Sequence, residues 1–138
     1  AGVIVRLIVR GICVLRPGVT GLSENISVHS IVGRFLEHSR LFYFYNDGEE
    51  DVFISSADWM PRNLNERIEL LVPVEYGPHK ERIKEILRLN YEDNVNGHIM
   101  DQNGEYTYLA DNRTGPAVNA QETFQQLAER AVSGPENG

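Results

Sequence analysis

A run of apolar residues near the start of the chain provides the first structural signal. Residues 3–9 are almost continuously apolar and mostly β-branched. This pattern predicts a strand covered on both faces, as in a parallel or mixed sheet with packed helices. Arg10 and Gly11 follow at the carboxyl end of the predicted strand. Ligands bind at that end in open α/β sheets, so Arg10 is a candidate binding residue.

Aromatic and β-branched runs predict two hairpins and one further strand. The turn-forming sequences Asn-Asp-Gly at residues 46–48 and Asn-Gly at residues 103–104 each lie between two such runs. The predicted strands are residues 41–45, 51–54, 67–72, 98–100 and 106–109.

Helical spacing predicts two longer helices. One starts at Pro78 and has an apolar stripe formed by Ile83, Ile86, Leu87 and Tyr91. The other begins with a capping box of Asn119 and Glu122 and has an apolar face within residues 124–131.

Two other segments have helical features. Residues 30–37 carry apolar positions at helical spacing, which favours a helix, although a strand ending near His38 fits the same residues. Residues 58–66 contain Pro61, which is compatible with the first turn of a short helix.

The composition is that of one globular domain. The chain has 138 residues, 41% hydrophobic and 24% charged, with no long apolar span, no leader pattern and one cysteine, Cys13. Its first residue is not methionine and almost adjoins the apolar run, so we expect part of a longer polypeptide. We predict an α/β (α+β) domain at residues 1–132 and a flexible tail at residues 133–138. The expected location is the cytoplasm, with peripheral membrane attachment left open.

The net charge of −7 is unevenly distributed. The first 40 residues contain five arginines and two glutamates, a charge of +3, whereas the remaining 98 residues carry −10. Eleven of the thirteen basic residues are arginine, whose planar guanidinium suits phosphate and carboxylate groups. A local basic cluster is therefore compatible with a phosphate ligand, although we expect no nucleic-acid partner.

Candidate chemistry is concentrated between His38 and Glu69. If residues 38–40 are extended, His38 and Arg40 lie on the same side, so one phosphoryl group can contact both. Ser55 and Ser56 come at the end of a predicted strand, where hydroxyl and backbone N–H groups can bind phosphate oxygens.

The order of these residues resembles the pattern of the phospholipase D superfamily. That pattern is H-x-K, then G-S-x-N, and later an arginine and a glutamate. This chain has HSR at residues 38–40, SSAD at residues 55–58, and then Arg67 and Glu69. Arginine replaces lysine, serine replaces glycine, and aspartate replaces asparagine.

A more extensive resemblance covers nearly the whole chain. The chain closely resembles the C-terminal catalytic domain of bacterial polyphosphate kinases in the segments LIVRGIC (7–13), LRPG (15–18), GLSEN (21–25), SIVGRFLEH (30–38) and SADWMPRNL (56–64). The similarity is dense through residue 73 and thins after about residue 95. It implies a phospholipase D-like mixed sheet with packed helices, forming one half of a two-domain active site.

The resemblance also implies an activity. In that family, the terminal phosphoryl group of ATP is transferred reversibly to inorganic polyphosphate through a phosphohistidine in the preceding domain. It implies ATP or ADP and polyphosphate as substrates, Mg²⁺ as cofactor, the preceding domain of the same polypeptide as partner, and a homo-oligomer. We expect the 138-residue chain alone to be inactive, because half of the catalytic residues lie outside it.

Site roles follow from the resemblance and from the residues themselves. By resemblance, Arg10 contacts phosphate, His38 contacts phosphate or donates a proton, and Glu69 orients a histidine. We expect Arg40, Ser55 and Ser56 to bind phosphate, and we assign no metal ligand. Arg10, Arg40 and His38 are expected to share one phosphate site.

Two other functions remain open. A phospholipase D-like phosphodiesterase could use His38 as nucleophile in a homodimer, although Arg40 and Asp58 depart from that pattern. A non-catalytic module could bind polyphosphate without needing His38.

Overall fold

The computed structural model describes residues 2–133. The chain folds into two compact units. The first unit comprises Ala1–Glu37 and Leu89–Gly138, and the second unit is His38–Arg88. The strands are β1 (Val5–Ile8), β2 (Ile26–Ile31), β3 (Leu41–Phe44), β4 (Asp51–Ser55), β5 (Leu71–Pro73), β6 (Gly97–Met100) and β7 (Tyr106–Tyr108). The helices are α1 (Pro61–Glu66), α2 (Gly77–Glu92) and α3 (Ala120–Ser133).

The first unit contains a four-stranded mixed sheet with the order β1-β2-β6-β7. Strand β1 is parallel to β2, whereas β2, β6 and β7 pair antiparallel. The predicted α+β class, mixed sheet and second hairpin are therefore confirmed. None of the four residues of β1 is buried, so the expected burial on both faces is wrong for this strand. Arg6, in the middle of β1, lies over the Tyr91 ring with its guanidinium carbon 5.0 Å from the ring centroid.

A buried carboxylate organises the junction of α2, β6 and α3 in the first unit. Asp93, 1% exposed, accepts hydrogen bonds from the backbone N–H groups of Val95, Asn96 and Ala120 at 2.9, 2.7 and 2.8 Å. Asn119 caps α3 by accepting the N–H of Glu122 at 3.2 Å, as the capping box predicts.

The segment after β2 is irregular where a helix is expected. Strand β2 ends at Ile31, and residues 32–37 form no helix. The side-chain amide of Gln121 accepts from the Phe35 N–H at 3.0 Å and donates to the Phe35 carbonyl at 2.8 Å and to Glu37 at 2.7 Å. The helical prediction for residues 30–37 is therefore wrong, because distant hydrogen bonds satisfy the backbone of Phe35.

The second unit contains a three-stranded antiparallel sheet with the order β3-β4-β5. Leu41 faces Ile54 in the predicted first hairpin, which closes through a short 3-10 turn at Asn46–Gly48. Helix α1 has Pro61 in its first turn and α2 covers the predicted apolar stripe, so both helices are confirmed. Strand β5 begins only at Leu71, so residues 67–70 form a connection rather than the start of a strand.

Ser133 is the last residue of α3, and residues 134–138 of the predicted tail lie outside the described residues. The assignment of residues 1–132 to one domain stays a prediction. None of the helices within residues 2–133 has both the length and the apolar character that a bilayer span requires.

Candidate functional site

The register of the β3–β4 hairpin brings the two phospholipase D-like segments together. Its hydrogen-bond ladder includes the residue that precedes β3, because the Ser55 N–H donates to the Arg40 carbonyl at 2.9 Å. Residues 38–40 therefore enter the sheet beside the end of β4, where residues 55–58 leave it. Segments separated by 15 residues in the sequence thus become neighbours at one end of the sheet.

Arg40 is the centre of the contacts at this end. Its Nε donates to Oδ1 of Asp58 at 2.9 Å, and its Nη1 donates to Nδ1 of His38 at 2.9 Å and to the His38 carbonyl at 3.1 Å. His38 is exposed, whereas the side chains of Arg40 and Asp58 are only 18% and 27% exposed. The prediction that His38 and Arg40 lie on one side is confirmed.

The two serines form hydrogen bonds that shape the connection after β4. Ser55 Oγ accepts the N–H of Ala57 at 3.0 Å. Ser56 Oγ donates to Glu69 and accepts the N–H of Leu70 at 3.0 Å. Their predicted role in phosphate binding stays a prediction, because the hydroxyls already have partners within the second unit.

Glu69 belongs to a second polar cluster, with Ser56 and Asn63. Asn63 Nδ2 donates to Glu69 Oε1 at 2.9 Å, and Ser56 donates to the other carboxylate oxygen. These two hydrogen bonds hold the pKa of the Glu69 carboxyl below its usual range, mainly through Ser56. The bonds of Glu69 thus go to Ser56 and Asn63, whereas the His38 ring bonds to Arg40. The orienting role of Glu69 stays a prediction.

Two residues of these clusters have no role in the sequence-based assignment. Asp58 is the partner of Arg40, and Asn63 is a partner of Glu69. The motif itself indicates the contact between Arg40 and Asp58. Where the superfamily pattern has lysine and asparagine, this chain has arginine and aspartate, which can form an ion pair. Asn63 is 4% exposed and its Oδ1 has no hydrogen-bond partner within the described residues. Nothing in the local sequence pattern indicates that burial.

Arg10 lies in the first unit, two residues beyond the end of β1, and its side chain is exposed. This position is the predicted carboxyl end of the strand. Its role in phosphate binding, and the expectation that it shares a site with His38 and Arg40, stay predictions.

An open apolar groove of about 430 Å³ lies on the second unit. The Phe42 and Trp59 rings stack in it with centroids 5.6 Å apart, and Ser55 and Glu69 are among its lining residues. The lining of this groove is therefore apolar except for Ser55 and Glu69, and Glu69 also belongs to the second polar cluster.

Within residues 2–133, no three histidine, cysteine, aspartate or glutamate side chains are grouped so that they could hold a metal ion. Mg²⁺ that is bound with a nucleotide usually keeps several waters and takes its other ligands from phosphate oxygens and one or two carboxylates.

Comparison with known protein families identifies the lineage of the chain. Residues 1–121 match the family model described as polyphosphate kinase C-terminal domain 2, and this match includes β1 and all of the second unit. The chain belongs to this family. The phospholipase D-like clusters around Arg40 and Glu69 therefore lie inside the matched region.

Individual relatives agree with the family match. The chain is 50% identical over 135 residues to a polyphosphate kinase of Rhodopirellula baltica, covering 97% of this chain and 16% of that protein. It is 51% identical over 130 residues to a polyphosphate kinase of Halalkalibacterium halodurans, covering 94% of this chain and 18% of that protein. The chain thus spans less than a fifth of the length of these curated relatives.

A solved structure has the same fold. The crystal structure of polyphosphate kinase from Porphyromonas gingivalis matches with a TM-score of 0.86 and 40% sequence identity, covering 96% of this chain and 20% of that chain. The predicted fold class, a phospholipase D-like mixed sheet with packed helices, is confirmed.

Proposed function

We propose that this chain is the C-terminal catalytic part of a polyphosphate kinase. The observation that carries the proposal is that the family match includes the contiguous cluster of His38, Arg40 and Asp58. A guanidinium beside an imidazole is suited to binding the anionic oxygens of a phosphoryl group.

The proposed reaction is a reversible two-step transfer. A histidine of the preceding domain attacks the terminal phosphorus of ATP, so an N–P bond forms, the bond to the ADP oxygen breaks, and ADP leaves. A terminal oxygen of polyphosphate then attacks the phosphohistidine, so that the N–P bond breaks and the polymer becomes one phosphate longer. His38, Arg10 and Arg40 stabilise charge on the transferring group by contacts to its oxygens.

The remaining assignments support this site. Ser55 and Ser56 end β4 where backbone and hydroxyl groups can contact phosphate, and Glu69 holds the connection that carries Ser56. When Mg²⁺ accompanies the nucleotide, it neutralises phosphate charge. We assign no residue of this chain to it.

The full polypeptide supplies the other components of the proposal. Its substrates are ATP or ADP and inorganic polyphosphate, and its preceding domain carries the phosphohistidine. We also propose that the whole protein is a cytoplasmic homo-oligomer, with peripheral membrane attachment left open.

A domain exchange tests the function. This chain replaces the matching segment of the Halalkalibacterium halodurans polyphosphate kinase, and conversion of ATP to polyphosphate is measured. We expect the exchanged enzyme to be active, and both the 138-residue chain alone and the host lacking the segment to be inactive. An inactive but correctly folded exchanged enzyme, or steady turnover by the isolated chain, would contradict the proposal.

A further inference from the structure

The contact between Arg40 and His38 specifies where the imidazole proton lies. A guanidinium has only N–H donors and no acceptor, so the Nδ1 atom of His38 must accept the 2.9 Å hydrogen bond from Arg40 Nη1. A neutral imidazole that accepts at Nδ1 carries its proton at Nε2. Neutral His38 therefore presents a donor, not a lone pair, at its Nε2 atom.

Two further contacts hold the Arg40 guanidinium beside the His38 ring. Arg40 Nη1 also donates to the His38 carbonyl at 3.1 Å, which ties the arginine to the histidine backbone as well as to its ring. Asp58 accepts from Arg40 Nε at 2.9 Å and orients the plane of the guanidinium. Charge-assisted hydrogen bonds of this kind are short and directional. The ring orientation of His38 thus depends on Asp58 through Arg40.

The two carboxylates of the neighbouring polar clusters each have a hydrogen-bond donor other than the His38 ring. The Glu69 oxygens accept from Ser56 and Asn63, and Asp58 accepts from Arg40. A carboxylate that accepted from Nδ1 would produce the opposite tautomer, with a lone pair at Nε2 suited to nucleophilic attack.

We propose that Asp58 and Arg40 are positioning residues that hold neutral His38 in its Nε2-protonated tautomer, so that Nε2–H donates a hydrogen bond to a phosphate oxygen of the substrate. This inference rests on the proposed function and assigns His38 one of the roles left open for it. His38 is then not a nucleophile, because its protonated Nε2 has no free lone pair. It is also not a proton donor, because the imidazolium form carries a proton on Nδ1 and forming it requires the hydrogen bond from Arg40 to break. The changes from lysine to arginine and from asparagine to aspartate in the superfamily pattern then serve the same role, which is to position His38.

Nuclear magnetic resonance of the 138-residue chain tests the tautomer without any assay of activity. Long-range proton–nitrogen spectra of the neutral imidazoles should show His38 with Nδ1 unprotonated and Nε2 protonated. Arg40→Gln should produce a mixture of tautomers at His38 and leave His79, in the same unit, unchanged. A His38 protonated at Nδ1, or a tautomer unaffected by Arg40→Gln, would overturn the proposal even if the exchanged enzyme is active.

Kinetics of the exchanged enzyme test the donor role. The side-chain amide of glutamine can place an N–H near the position of Nε2, whereas alanine cannot. We expect His38→Ala to lower kcat/KM about 10- to 100-fold, as for one hydrogen bond to a charged group, and His38→Gln to retain about tenfold more than His38→Ala. Equal loss in both variants would overturn the donor role.

A double-mutant cycle tests whether Asp58 acts through His38. Asp58→Asn should lower kcat/KM about tenfold in the exchanged enzyme and have little further effect when His38 is alanine. Glu75→Gln, an exposed acid-to-amide change in the same unit, is the matched control and should leave kcat/KM unchanged. Additive losses from Asp58→Asn and His38→Ala would show that Asp58 does not act through His38 and would contradict the proposal.

Discussion

Two groups of polar side chains, one in each compact unit, form their hydrogen bonds in different ways. In the first unit, Asp93 and Gln121 are at most 7% exposed and bond mainly to backbone groups. In the second unit, Arg40 and Asp58 bond through their side chains beside the exposed His38 at the end of a hairpin. The comparison separates groups that hold the chain in its fold from groups available to a ligand.

This difference has an energetic consequence. A buried acceptor with several backbone donors is costly to remove, because each donor loses its partner away from water. A partly exposed ion pair is cheap to remove, because water replaces the lost partner. Substitutions in the first unit should therefore affect stability most, and those at the Arg40 cluster should affect activity most.

The largest effect on stability is expected at Asp93. Asp93→Ala removes the acceptor of three backbone N–H groups and should lower the free energy of unfolding by about 3–5 kcal/mol. Urea unfolding followed by circular dichroism measures the change, and Asp111→Ala, at an exposed position, is the control. A loss below about 1 kcal/mol would mean that the Asp93 contacts do not hold the first unit together.

A smaller effect is expected at Gln121. Gln121→Leu retains the volume but removes the hydrogen bonds to Phe35 and Glu37, so stability should fall by about 1–3 kcal/mol. The Phe35 amide should also exchange with solvent faster. Gln125→Leu, at an exposed position one turn later on α3, is the control and should change neither quantity. Unchanged exchange at Phe35 in Gln121→Leu would refute the assigned contact.

These hydrogen bonds also explain where prediction from the sequence failed. Ile31, Val32, Phe35 and Leu36 have helical spacing, but Gln121, 86 residues after Phe35, satisfies the Phe35 backbone instead. A local pattern contains no information about such a distant partner. Where local signals act alone, as in the Asn46–Gly48 hairpin or the capping box at Asn119, prediction succeeded.

The candidate site was partly predictable for a similar reason. The alternation of strand side chains placed His38 and Arg40 together, and the hairpin brought them to the end of β4. The pairing of Arg40 with Asp58 is indicated only by the complementary changes in the motif, and the observed hairpin register brings the two segments together. The prediction that Glu69 lies on a strand was wrong, because the residues after α1 form a connection and strand β5 begins only at Leu71.

The pH dependence of unfolding should reveal a third buried group of the first unit. Burial is the main cause that lowers the pKa of His29 from 6.5; a hydrogen bond to the Tyr91 backbone raises it and Arg6 lowers it further. The unfolded chain then binds the proton more readily than the folded chain. The stability contributed by neutral His29 is therefore complete above pH 6.5 and is lost as the pH falls toward the folded pKa.

The slope of this loss is measurable. It should not exceed about 1.4 kcal/mol per pH unit for one proton, and urea unfolding between about pH 7.5 and about pH 5.5 covers the window. His29→Gln should remove that part of the slope, whereas His79→Gln, in the second unit, should retain it. An identical slope in the chain and in His29→Gln would exclude His29 as the cause.

The smallest effect on stability is expected at the Arg40 cluster. Arg40→Gln and Asp58→Asn should each change the free energy of unfolding by about 1 kcal/mol or less, because the pair is partly exposed to water. The same urea measurements apply. A loss as large as that of Asp93→Ala would place this pair among the groups that hold the fold, and the contrast between the two units would disappear.

The rate of ATP conversion to polyphosphate by the exchanged enzyme tests the central claim most directly, when His38→Ala is compared with His79→Ala. Both histidines are exposed and lie in the second unit, but only His38 contacts Arg40. We predict that His38→Ala lowers kcat/KM by about 10- to 100-fold while His79→Ala leaves it unchanged. Equal rates for the two variants, with both folded, would contradict a catalytic role for this end of the hairpin.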